Sequence, residues 1–238
     1  MRVVFVHGAC VRDGAWWWHR AAALLSERGI VSVAPGLPSC GEAGVPGGAD
    51  GPGLAEDVAA VRAVLEDGDE PTVVVAHSYG GIVVAEAAAG VAAVRHLVLV
   101  SSYLPEVGQS LADFGPADGP APFLDVDPAA GTFTVRPELL VETFLADCDA
   151  EVQAQAGEHL ARQSVRVTGQ PVGAAAWREV PTTYVVCTGD RGTSAERQRA
   201  YARRADRVVE LEAGHHPFLS QPAAVVDLLL ALDVEEDR

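Results

Sequence analysis

The stretch "VVVAHSYGG", residues 73–81, runs a valine-rich segment directly into a histidine, a serine and two glycines. A serine at such a junction can be a nucleophile only with a base beside it, because its hydroxyl is not nucleophilic at neutral pH. Of the seven histidines, His215 in "LEAGHHPFLSQP" follows the last β-rich segment and precedes the last helical one. That is a loop at the carboxyl edge of an open sheet, where ligands bind; its neighbour His216 is the rival. Asp190, in "VVCTGDRG", ends the preceding β-rich segment and can accept from the second imidazole nitrogen, fixing the tautomer. A helix cap is the competing role for Asp190, and Thr193 or Ser194 fills it better. A tetrahedral oxyanion would need backbone donors, and the turn "VFVHGAC" can aim one at the serine. The N–H of Ala9 and that of Tyr79, the residue after the serine, are the two candidates, while His7 reads as a brace for its loop. The chemistry these residues would support is acyl transfer through Ser78, His215 and Asp190.

These residues need elements to carry them. Segments 3–6, 30–34, 72–76, 96–101, 183–188 and 207–211 are continuous in Val, Ile and Leu, as buried parallel strands are. Helical patterns occupy 15–28, 53–67, 80–90, 194–204 and 221–231. On the second of these, Leu54, Val58, Val61 and Leu65 form one apolar stripe. The alternation predicts an α/β fold with helices on both faces of a mostly parallel sheet of about six strands. Ser78 then occupies a strand–turn–helix elbow of the G-x-S-x-G kind, with Ala76 in the first glycine's place. Residues 1–103 and 181–238 are expected to form the core, and 104–180 a cap. That insertion is rich in Pro, Gly and Asp over 116–137, reads as helical afterwards, and has the apolar content of a folded lid. The Gly/Pro-rich loop 35–53 reads as surface.

Composition narrows the partners. The net charge is −16 and all 17 cations are arginine, so lysine chemistry (Schiff base, P-loop, Ser-Lys dyad) is excluded. Such an acidic surface disfavours nucleic acid and anionic membrane, and otherwise reads as solubility. No apolar run approaches the ~20 residues of a membrane span, and the first residues lack a signal-peptide pattern; a cytoplasmic protein is expected. Cys10, Cys40, Cys148 and Cys187 show neither C-x-x-C nor metal spacing and read as buried thiols. With no H-E-x-x-H, G-x-G-x-x-G or P-loop, neither metal nor organic cofactor is expected. A homodimer is compatible with the sequence.

"VHGAC…GAWWW" (6–18), "AHSYGG" (76–81), "YLPEVGQS" (103–110), "AWREVPTTYVVCTGDR" (176–191) and "AGHHPFLSQP" (213–222) together resemble the small α/β-hydrolases related to plant methylesterases and hydroxynitrile lyases. The resemblance runs nearly end to end. It implies a six-stranded sheet, a helical cap, the chain order Ser78, Asp190, His215, and a pocket lined by Cys10, Tyr79, Tyr103, Trp177 and Phe218. The chain departs from that group twice. About two extra residues, near Val11 and Arg12, separate the oxyanion turn from "GAW". The lysine that the lyases carry after the histidine is His216 here, which disfavours cyanohydrin cleavage. The expected activity is hydrolysis of a small hydrophobic or aromatic carboxylic ester through an acyl-enzyme. The alternatives are a tailoring or C–C lyase reaction at the same site and a ligand receptor on the same fold.

Overall fold

The computed structural model describes residues 1–42, 44–116 and 118–232. Along the first half of the chain come β1 (Arg2–Val6), α1 (Gly14–Ser26), β2 (Val31–Val33), α2 (Leu54–Leu65), β3 (Thr72–His77), α3 (Gly80–Ala87) and β4 (Val94–Val100). An insertion follows, with β5 (Leu124–Asp127), β6 (Thr132–Val135), α4 (Pro137–Phe144), α5 (Ala150–Gln155), β7 (Gln163–Ser164) and α6 (Arg166–Gly169). The chain then returns through β8 (Thr182–Cys187), α7 (Ala195–Ala202), β9 (Arg207–Leu211), α8 (Pro217–Ser220) and α9 (Pro222–Leu230).

Six strands pair in the order β2-β1-β3-β4-β8-β9, every pair parallel. The central strands β1, β3 and β8 are buried at every residue, which is why they read as unbroken apolar runs rather than alternating ones. Helix α1 packs with α8 and α9, and α2 with α3. Phe5 of β1 stacks on Trp18 of α1 at 4.4 Å, and Trp18 on Phe218 of α8 at 3.8 Å, so aromatic rings knit the sheet to one helix layer.

The strand order positions the site. From β1 the chain moves to β2 on one side, then crosses back to β3 on the other. Crevices in α/β sheets open where neighbouring strands send their connections apart, outside the carboxyl ends. β1 and β3 are such a pair, with Val6 opposite Ala76. The loop after β1 and the elbow after β3 are therefore neighbours before any side chain is considered.

The insertion differs from its expected form. Besides helices it holds a three-stranded antiparallel sheet, β5-β6-β7. The loop after β2 differs too: Leu37, Ser39 and Cys40 are buried rather than on the surface. No helix among the described residues is long and apolar enough to cross a membrane.

Candidate active site

Ser78 has φ 51°, in the left-handed region that a β-carbon disfavours. The chain leaves β3 through this residue and turns at once into α3. The turn is tight because of Gly80, where a β-carbon would lie 2.6 Å from the Val6 carbonyl oxygen and 2.9 Å from that of His7. β1 and the elbow thus touch backbone to backbone. Neither the Ala9 N–H nor the Tyr79 N–H donates to a protein acceptor among the described residues. The neighbouring Cys10 N–H, by contrast, is bound at 3.0 Å by Gln163 Oε1. His7 braces its loop as expected, its ring nitrogens meeting the Gly8 carbonyl at 2.8 Å and Glu42 Oε2 at 3.2 Å.

The loops after β8 and β9 are tied by the Gly189 N–H donating to the Ala213 carbonyl at 2.9 Å. That brings Asp190 to His215, whose Nδ1–H donates to Asp190 Oδ2 at 2.7 Å. The carboxylate also accepts from the N–H groups of Gly192 (2.7 Å) and Thr193 (3.0 Å), from Gln198 Nε2 (3.0 Å) and from the Ser101 hydroxyl. Burial would raise the Asp190 pKa, but the imidazole of His215, Ser101 and the Thr193 amide outweigh it and hold the carboxyl below its ordinary value. With Nδ1–H given to a carboxylate, the neutral ring carries its lone pair on Nε2. No hydrogen bond joins Ser78 to His215 in this arrangement, yet both line one cavity.

Two further imidazoles sit beside His215. The His77 ring lies 4.5 Å from it, centroid to centroid, and donates from Nε2 to the His215 carbonyl at 3.0 Å. His216 donates from Nδ1 to the Phe144 carbonyl at 3.0 Å. Burial lowers both pKa values, that of His216 to about 3 and that of His77 well below the ordinary range, so both rings are neutral near pH 7.

The cavity has a volume of 1120 Å³ and is walled by core and insertion together. Its lining is mostly apolar, with aliphatic residues such as Leu111, Leu139 and Val165 beside aromatic ones such as Trp17, Tyr103 and Phe144. Of the residues expected there, Cys10, Tyr79 and Tyr103 line it, and burial pushes the Cys10 thiol up to about 12, leaving it protonated and inert. Trp177 and Phe218 do not line it. Phe218 is turned into the core, where it stacks on Trp18 at 3.8 Å and is almost fully buried. Trp177 donates its indole N–H to the Pro105 carbonyl at 2.8 Å, with the Arg178 guanidinium 4.8 Å above its ring. Sequence reasoning missed Ser101 and Gln198. Ser101 had one signal, a serine pair ending the apolar run "LVLVSS", whereas Gln198 stands among charged residues in "AERQRAYA" and had none.

The alpha/beta hydrolase family model matches residues 3–228. The alpha/beta hydrolase nvfD of Aspergillus novofumigatus is 26% identical over 193 residues, which is 75% of this chain and 77% of that one. Among solved structures, the pyrethroid hydrolase of Sphingobium faniae JZ-2 superposes with a TM-score of 0.82 at 23% identity, over 97% of this chain and 96% of its own. The methylesterase MES16 of Arabidopsis superposes with a TM-score of 0.75 at 19% identity, over 97% of each chain. At these identities the superpositions speak for the fold. With the family model spanning nearly the whole length, this chain belongs to the alpha/beta hydrolase family.

Proposed function

We propose that the chain is a serine esterase that cleaves hydrophobic carboxylic esters through an acyl-enzyme. The observation that carries this reading is a convergence. A left-handed serine, two unpaired backbone N–H groups beside it and a carboxylate-oriented imidazole all meet at one apolar cavity. In the reaction, Ser78 Oγ attacks the ester carbonyl carbon and His215 Nε2 takes the hydroxyl proton. The carbonyl oxygen, now negative, is held by the N–H groups of Ala9 and Tyr79. Collapse expels the alcohol, which receives its proton from His215, and water resolves the acyl-enzyme with His215 again as base. Asp190 stays ionised and stabilises the transient imidazolium. The neutrality of His77 and His216 matters here, since a second positive ring in contact would oppose that charge.

The names of similar proteins, a methylesterase and a pyrethroid hydrolase, agree with ester cleavage. The apolar walls favour apolar acyl or alcohol groups, and 1120 Å³ leaves room for esters well beyond methyl or ethyl size. Residues 104–180 act as a cap in this reading, supplying walls of the cavity from Leu111 to Thr168. The test is hydrolysis of p-nitrophenyl esters of increasing acyl length by the wild type and by Ser78→Ala. The expected result is turnover by the wild type and loss of about 10³-fold or more in kcat for the variant; equal rates overturn the nucleophile assignment.

A further inference from the structure

A buried polar chain joins the insertion to the turn after β1 and to the side chain of the residue after Ser78. Gln163, at the start of β7, accepts from the Cys10 N–H at 3.0 Å and donates from Nε2 to Ser39 Oγ at 2.8 Å. Ser39 donates from its hydroxyl to Asp57 Oδ2 at 2.6 Å and from its N–H to Oδ1 at 2.8 Å. The phenol of Tyr79 donates to the same Oδ2 at 2.8 Å. Gln163, Ser39 and Asp57 are all fully buried and Tyr79 nearly so.

The chain has one polarity. An N–H can only donate, so Cys10 fixes which end of the Gln163 amide is oxygen. The Ser39 hydroxyl, accepting from that amide, must give its proton to Asp57. Asp57 is thus the terminal acceptor for both halves: the Ala9–Cys10 turn through Gln163, and the residue after the nucleophile through its own phenol.

A second set of contacts ties the same turn to the insertion. The Cys10 carbonyl accepts from the Ala161 N–H at 2.8 Å, and the Arg12 N–H donates to the His159 carbonyl at 2.9 Å. Between them Val11 forms an antiparallel bridge with Leu160. The two residues that the sequence seemed to carry in excess, Val11 and Arg12, are those that make this seam. Cys10 itself has φ 60°, a conformation that a β-carbon disfavours, so outside contacts on both its peptide groups are what hold it.

We infer that Gln163 is a positioning residue for the oxyanion hole, holding the Ala9–Cys10 turn so that the Ala9 N–H faces the same point as the Tyr79 N–H. The inference rests on the serine-esterase reading above. Gln163 touches no substrate; it acts through Cys10 on one side and through Ser39 and Asp57 on the other. An insertion residue therefore sets the geometry of a site whose nucleophile belongs to the core.

The test is Gln163→Met, which keeps length and removes both hydrogen bonds, with Tyr79→Phe as a second variant that leaves the backbone N–H in place. Each is assayed with p-nitrophenyl butyrate for kcat and KM, for inhibition by phenylboronic acid, which forms a tetrahedral adduct on the serine, and for thermal midpoint. The expected result is a fall in kcat of about 10- to 100-fold at nearly constant KM, matched by a comparable loss of boronate affinity. A purely structural role lowers the thermal midpoint but leaves kcat and boronate affinity of the folded protein within about twofold of wild type, and that outcome overturns the inference. If Gln163→Met fails to fold, Gln163→Asn, whose shorter amide cannot reach both the Cys10 N–H and Ser39, carries the same readouts, and unchanged kcat and boronate affinity there overturn it equally. Undiminished hydrolysis by Ser78→Ala is the separate result that removes the esterase reading and this inference with it.

Discussion

Ser101 has no motif to announce it, yet its hydroxyl donates to Asp190 and lies 3.3 Å from His215 Nδ1. It follows β4 with φ 43°, so the backbone bends there and turns the side chain toward the loop after β8. Under the proposed mechanism its part is to keep Asp190 ionised and fixed while His215 gains and loses a proton. Removing it leaves the Gly192, Thr193 and Gln198 donors in place. Ser101→Ala should therefore lower kcat about tenfold, the scale of one hydrogen bond to a charged group, with KM little changed. Steady-state kinetics on one p-nitrophenyl ester checks this. A fall as deep as that of Ser78→Ala would mean that Ser101 handles the proton itself rather than orienting the carboxylate.

The elbow between β3 and α3 shows how an element can be decided by one missing atom. At Gly80 an added methyl would meet the backbone oxygens of Val6 and His7, which cannot rotate away as a side chain can. Gly80→Ala must push β1 from β3 at the point where the candidate oxyanion loop begins. A destabilisation of about 2–4 kcal/mol is expected, read from the urea midpoint, with activity reduced even at temperatures where the variant is folded. The same strand ends were legible in the sequence because continuous valine runs leave little choice but a parallel sheet. The insertion was less legible. "LDVD" and "TFTV" each offer four residues of weak alternation inside a stretch dominated by Pro, Gly and Asp, and their pairing depends on partners that the local sequence does not name. The burial of Leu37, Ser39 and Cys40 within loop 35–53 escapes the sequence for a related reason. The loop's glycines and prolines signal turns correctly, but nothing local tells that Ser39 will find Asp57 on α2 and become buried. Trp177 and Phe218, expected at the pocket from the resemblance alone, make other contacts: Trp177 bonds the Pro105 carbonyl and Phe218 stacks on Trp18.

Across the whole molecule, the acid side of the stability profile follows from where the histidines lie. His216 faces Trp17, Phe144, His77 and His215, with Asp190 close enough to act on it electrostatically. In the folded chain burial, and then repulsion from His215, hold its pKa near about 3, whereas the unfolded chain protonates it near the ordinary value of 6.5. Between those two pH values the unfolded state binds the additional proton, so stability is fully present above about 6.5 and declines as the pH falls from there. Each such group contributes about 1.4 kcal/mol per pH unit over its window, and His77, whose pKa is also lowered by burial, adds to the same slope. Asp57 works in the opposite sense, because burial raises its folded pKa despite its bonds to Ser39 and Tyr79. Comparing a variant with the wild type cancels that contribution. His216→Asn keeps an amide donor for the Phe144 carbonyl and removes the titration. Urea unfolding at pH 7 and pH 5 should show the wild type losing about 2 kcal/mol more than the variant between the two. Equal losses would mean that His216 takes up its proton without unfolding. A second positive ring would then stand beside the proposed base, and esterase activity should fall over the same pH range.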